Sequence, residues 1–187
     1  MVSAQIWYDA PAEPAKEEWS EYDREFLKQV RVEIDESLLS RPKYNRGRRL
    51  RQVWVFSAVE RATGVCFFEV VQDRSEATLL EVIKRRIRPG TKIMSDKWRA
   101  YCNLSKHGFI HQTVNHSERF VDDVTGAHTQ TIESLWGALK GFLRGVGRNF
   151  GEHLEEYVAE FVYRRKHRDK LFDQFYQTLQ DFIRQVK

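Results

Sequence analysis

The 187-residue chain predicts an α/β domain built on a mixed five-stranded sheet flanked by helices, with a helical C-terminal extension. Three observations predict it. Arg31 to Glu36 alternates apolar and acidic residues, Val32 and Ile34 against Glu33 and Asp35, which is the two-residue period of a strand with one wet face. Two further β-rich runs, Val53–Val59 and Val65–Val71, flank the turn Glu60-Arg61-Ala62-Thr63-Gly64 and read as a hairpin. After them, helical and extended patterns alternate, and the chain closes on helices.

The remaining elements follow in order. Ser75 is placed to cap a helix through Ile87, with Leu79, Leu80, Val82, Ile83 and Ile87 on its buried side, and Pro89-Gly90 ends it. Lys92–Ser95 is a short strand that delivers Asp96. Trp98 to Lys106 reads as a helix ending near Gly108, and Ile110–Val114 as the fifth strand. Asn115–Ala127 is polar and loop-like. Thr129 or Thr131 can cap a helix reaching about Leu143, with Ile132, Leu135, Trp136, Leu139 and Leu143 on one face. Glu152–Lys166 and Asp169–Val186 are the last two helices. Ahead of the first strand, Glu17–Val30 reads as a short amphipathic helix through Trp19, Tyr22, Phe26 and Val30. The expected division is an acidic, partly disordered appendage over residues 1–28, a catalytic domain over 29–168, and a C-terminal helix over 169–187 that packs on the core.

Composition narrows the partners. The net charge is +4, but six of the 31 basic residues fall between Ser40 and Gln52, with no acid among them; the other 25 face 27 acids. A concentrated basic segment suits a polyanion such as nucleic acid, and equally a solvated loop. Cys66 and Cys102 lie far apart, so neither a zinc ribbon nor a disulfide framework is expected, and the usage fits a reducing compartment, the nucleus of a eukaryote or otherwise the cytoplasm. No run of 18 apolar residues occurs, so no membrane partner is expected. His111, His116 and His128 match no common zinc spacing.

The chemistry-bearing residues are Asp35, Asp96 and Glu133, with 36 residues between the last two. The first two follow short β-like runs and the third lies early on a helix. Carboxylates from two strands and a helix can converge on a pair of divalent ions, as in enzymes that cut and rejoin phosphodiester bonds. Spacing alone is a weak guide, because 27 acids offer many triplets.

The local sequences are more specific. Val32-Glu33-Ile34-Asp35-Glu36-Ser37, continuing through Lys43-Tyr44-Asn45-Arg46-Gly47-Arg48-Arg49, resembles the first catalytic block of Merlin-type DDE transposases and their bacterial insertion-sequence relatives of the ISXO type. Trp54-Val55-Phe56, Asp73-Arg74-Ser75, Ser95-Asp96-Lys97-Trp98 and His128-Thr129-Gln130-Thr131-Ile132-Glu133-Ser134-Leu135-Trp136 follow in the family's order. The resemblance spans about residues 30–168 and departs at Gln130, where the family usually has asparagine. It implies a ribonuclease H-like fold, which the element order also suggests. It implies a metal-dependent transposase acting on double-stranded DNA ends, with Asp35, Asp96 and Glu133 binding two Mg2+ or Mn2+ ions. Lys43, Tyr44, Arg46, Arg48, Arg49 and Lys140 are expected to face DNA; on spacing alone Lys140 is equally a solvated helix lysine. Paired ends imply a homo-oligomer on DNA. The alternative is a transposase-derived DNA-binding or scaffolding protein without transposition activity. The family also carries a DNA-binding region ahead of this domain, whereas only acidic sequence without Cys–His spacing precedes it here.

Overall fold

The computed structural model describes residues 21–39, 53–114, 128–146, 153–168 and 170–185. Helix α1 (Glu21–Gln29) leads into strand β1 (Arg31–Leu38), followed by β2 (Trp54–Glu60) and β3 (Cys66–Val71). Then come α2 (Glu76–Arg86), β4 (Lys92–Ser95), β5 (Ile110–Thr113), α3 (Gln130–Val146), α4 (Leu154–Lys166) and α5 (Leu171–Gln185).

The five strands form one sheet in the order β3-β2-β1-β4-β5. The first three run as an antiparallel meander, while β4 lies parallel to β1 and β5 parallel to β4. This is the mixed sheet of the ribonuclease H-like fold, with β1 at its centre. The hairpin between β2 and β3 turns at Gly64, whose φ of 70° lies in the left-handed region that a side chain would strain.

Strand alternation divides the sheet's two faces between two cores. Val32, Ile34, Phe56 and Ala58 pack with α2 residues Leu79, Val82 and Ile83, and with Tyr101 and Leu104. On the opposite face Val55 and Val59 pack with Ile132, Leu135, Trp136, Leu139 and Leu143 of α3 and with Val158 and Phe161 of α4. The result is a helix–sheet–helix sandwich in which each layer buries the apolar stripe that periodicity assigned to it.

Helix α2 starts where its cap predicts. The Ser75 hydroxyl accepts from the Thr78 N–H at 3.4 Å, and Asp73 Oδ1 accepts from the Ser75 N–H and the Thr78 hydroxyl, each at 2.8 Å.

Three expectations need correction or a different account. Trp98–Lys106 is not one helix but two 3-10 turns, Arg99–Tyr101 and Leu104–His107. Tyr101 and Leu104, three residues apart, both insert into the core, and the backbone between them passes through Asn103 at φ −98° and ψ 3°, outside helical geometry. Leu27 of α1 and Val30 just after it are buried, whereas Phe26 is exposed. The C-terminal helix was expected on the core; Phe172, Phe175, Tyr176, Leu179, Phe182 and Ile183 of α5 instead stand exposed, Phe172 at 79%. The basic segment with Lys43, Tyr44, Arg46, Arg48 and Arg49, the loop 115–127 and residues 1–20 lie outside the described residues.

Candidate active site

The parallel pairing of β1 and β4 sets Arg31 beside Lys92, Val32 beside Ile93 and Glu33 beside Met94. The pairing stops there; Asp35 and Asp96 each lie two residues beyond it, at the same end of these adjacent strands. The two carboxylates feel one another. Asp35 is held up to about 7 from 3.8, first by burial, then by repulsion from Glu36 and from Asp96. Trp136 of α3 turns its buried indole N–H toward the Asp35 carboxylate without completing a hydrogen bond.

Asp96 is fixed from the other side. Its Oδ1 accepts from the Trp98 N–H at 2.8 Å, a local turn that holds the carboxylate at the end of β4. Ser95, fully buried, donates to the Asp96 carbonyl at 2.7 Å, and its Oγ lies 2.9 Å from His111 Nε2 on β5. Burial holds the His111 pKa below its ordinary value, which favours the neutral ring beside Ser95.

Glu36 joins this cluster although strand alternation points it to the opposite face from Asp35. It accepts from the Tyr101 hydroxyl and lies 3.9 Å from Arg74 Nη1. Burial raises its pKa, and Asp96 adds to the rise. The same surroundings push the Tyr101 hydroxyl upward, burial first and the Glu36 charge second, so it stays a donor. Alternation puts Glu36 on the Ile34 face of β1, where it meets Tyr101 of the core on that side.

Glu133 sits on the first turn of α3, exposed to solvent, and accepts from the Thr129 hydroxyl at 3.1 Å. It is one helical turn before Trp136, so it lies on the helix that covers Asp35. Among the described residues no three His, Cys, Asp or Glu side chains are grouped to hold an ion. Lys140, one turn beyond Trp136, places its ammonium 5.7 Å from the Trp136 ring centroid.

Glu33 determines where α3 sits. It shares the Asp35 face of β1 and is fully buried. Its Oε1 pairs with Arg61 Nε at 2.5 Å, and its Oε2 accepts from the Ile132 N–H at 2.9 Å. Arg61 also donates to the His128 carbonyl. One carboxylate thus joins the central strand to the N-terminus of α3, where unpaired amides and the helix dipole favour negative charge.

A family model for the ISXO2-like transposase domain matches residues 26–166 of this chain. The chain belongs to the ISXO2-like transposase domain family. No curated protein matches it. Among solved structures, the HTLV-2 integrase catalytic core domain in complex with magnesium is 13% identical over 72% of this chain and 83% of that one, with a TM-score of 0.45. The catalytic core domain of BIV integrase is 15% identical over 72% and 81%, also at 0.45. The simian T-cell lymphotropic virus intasome in complex with PP2A regulatory subunit B56 gamma is 14% identical over 72% and 47%, at 0.47. By that family match the domain is a DDE-type polynucleotidyl transferase domain. Among its described residues no helix is long and apolar enough to cross a membrane.

The donor set suits a hard divalent cation. Asp35 and Asp96 offer hard oxygen donors at one end of the sheet, and a bound cation would favour the charged form of the buried Asp35 carboxyl.

Proposed function

We propose that this transposase domain hydrolyses phosphodiester bonds at double-stranded DNA ends and joins those ends to a target, using divalent metal. The observation that carries the reading is that Asp35 and Asp96 fall at the same end of the adjacent strands β1 and β4, with Asp35 raised to about 7 first by burial and then by the charges of Glu36 and Asp96. Asp35 and Asp96 hold Mg2+ or Mn2+, and Glu133 reaches the site from α3 as the third ligand. Two bound ions would activate the attacking water or 3′-hydroxyl and stabilise the leaving oxygen. Substrate phosphate supplies further oxygens, which is why two protein carboxylates suffice before DNA arrives. Lys140 meets the DNA end from the same helix. Lys43, Tyr44, Arg46, Arg48 and Arg49 track phosphates, a sequence-independent and salt-sensitive interaction. Paired ends require at least two copies on DNA.

The test is a titration of the full chain with Mn2+, followed by incubation with labelled duplex ends. Wild type binds Mn2+ and yields nicked and joined products. Asp96→Ala loses both while still binding duplex. Glu133→Ala keeps part of the Mn2+ affinity and loses cleavage. Binding of DNA by wild type with no cleavage in Mg2+ or Mn2+ favours the transposase-derived scaffold, and cleavage without joining indicates a nuclease.

A further inference from the structure

Beside the carboxylates the structure holds one cation in an unusual setting. The Arg74 guanidinium carbon lies 3.9 Å from the Trp98 ring centroid and 4.9 Å from that of Trp54. The Trp98 indole N–H donates to the Arg74 carbonyl at 3.3 Å, and the Trp98 backbone N–H donates to Asp96 Oδ1 at 2.8 Å. A continuous set of contacts therefore runs from the Asp96 carboxylate through Trp98 to Arg74. On its other side, Arg74 Nη1 lies 3.9 Å from Glu36 Oε1, longer than a hydrogen bond. The Arg74 side chain is 43% exposed.

We propose that Arg74 is a DNA-phosphate-binding residue at the rim of the Asp35–Asp96 site, with Trp54 and Trp98 as the plates that orient it. A guanidinium that rests on an indole through its flat face keeps its in-plane N–H groups for an anion. Free arginine side chains are mobile, so holding this one against two rings removes much of the ordering cost of binding. The need for a cation here is electrostatic. A phosphate approaching Asp35, Glu36 and Asp96 meets three acids, and a fixed positive group beside them lowers that barrier. Trp54 opens β2 opposite Leu38 at the end of β1, so it stands at the same end of the sheet as the carboxylates. An arginine remains charged at every working pH, so it serves as a permanent contact. The choice of DNA as ligand rests on the function proposed above; the alternative is that Arg74 merely neutralises Glu36.

The experiment measures binding of a fluorescent duplex to the full chain in EDTA across a range of salt concentrations, where no cleavage occurs. Arg74→Ala is expected to bind more weakly to every duplex sequence and to reduce the slope of log affinity against log salt by about one. Arg74→Lys keeps the slope but binds less tightly, because an ammonium lacks the flat plate. If Arg74→Ala does not fold, Arg74→Gln carries the same expectation. A wild-type slope and affinity in the folded Ala or Gln variant overturns the proposal, and shows that Arg74 serves Glu36 alone. The measurement is metal-free. A chain that never cuts DNA yet loses one phosphate contact on Arg74→Ala would therefore retain this assignment while the catalytic reading fails.

Discussion

Asp35 is the residue whose charge depends most on its surroundings. Its carboxyl ionises near 3.8 when exposed and at about 7 in the folded, metal-free domain. Between those values the folded state keeps a proton that the unfolded chain has released. By linkage, that contribution to stability declines as pH rises through the window. Melting temperatures of the metal-free domain should therefore contain a component that falls from pH 4 to pH 7, and Asp35→Asn should remove it. Metal and proton compete for the same oxygens, so Mn2+ affinity should rise through about pH 7 in wild type and lose that dependence in the variant. A wild-type melting profile unchanged by Asp35→Asn would mean that the carboxyl ionises freely. Glu36 carries the related lesson. Alternation correctly placed it on the face opposite Asp35, where it accepts from Tyr101, yet it also feels Asp96.

Among the elements, α3 depends on a single buried carboxylate. Glu33 → Ala would leave Arg61, whose side chain is 13% exposed, without its partner and would uncover the Ile132 amide. Breaking a buried pair from one side typically costs about 3–5 kcal/mol. Urea denaturation should show a loss of that order for Glu33→Ala and a smaller one for Glu33→Gln, whose amide oxygen still accepts from Ile132. Equal losses would indicate that charge, rather than the helix contact, carries the stabilisation. The clamp also explains why α3 covers Asp35: Ile132 is tied to β1, and Trp136 follows one turn later. The sequence pattern of α3 was readable through Ile132, Leu135, Trp136, Leu139 and Leu143, all buried. Its docking point was not, since nothing local links Glu33 to a residue 99 positions away.

At the scale of the whole molecule, the two cores leave α5 aside. Its apolar residues, including Phe175 at 59% and Phe182 at 62%, face solvent, so little of the fold's burial depends on them. Removing residues 169–187 should leave the melting temperature within a few degrees of wild type, because surface elements away from a core contribute little. The shortened domain should also be more soluble, since a contiguous exposed apolar face promotes association. A large drop in melting temperature would instead show that α5 packs on the domain in solution.

The amino-acid sequence by itself determined where the five strands and most of the helices form, though not the two 3-10 turns within Trp98–Lys106, and it determined which face of β1 carries Asp35 and where α2 begins. Those properties depend on residues two to four positions apart, and side-chain alternation, helical period and the Ser75 cap act at that range. The resemblance of its ordered motifs also pointed to the transposase family that the match over residues 26–166 shows. Tertiary structure decided the rest. Strand β4 enters beside β1 rather than beside β3, and that choice alone brings Asp96 to Asp35. It likewise set the Arg74 guanidinium over two tryptophan rings. These are long-range pairings, chosen by how the two faces of the sheet bury their apolar residues, and no local period encodes them.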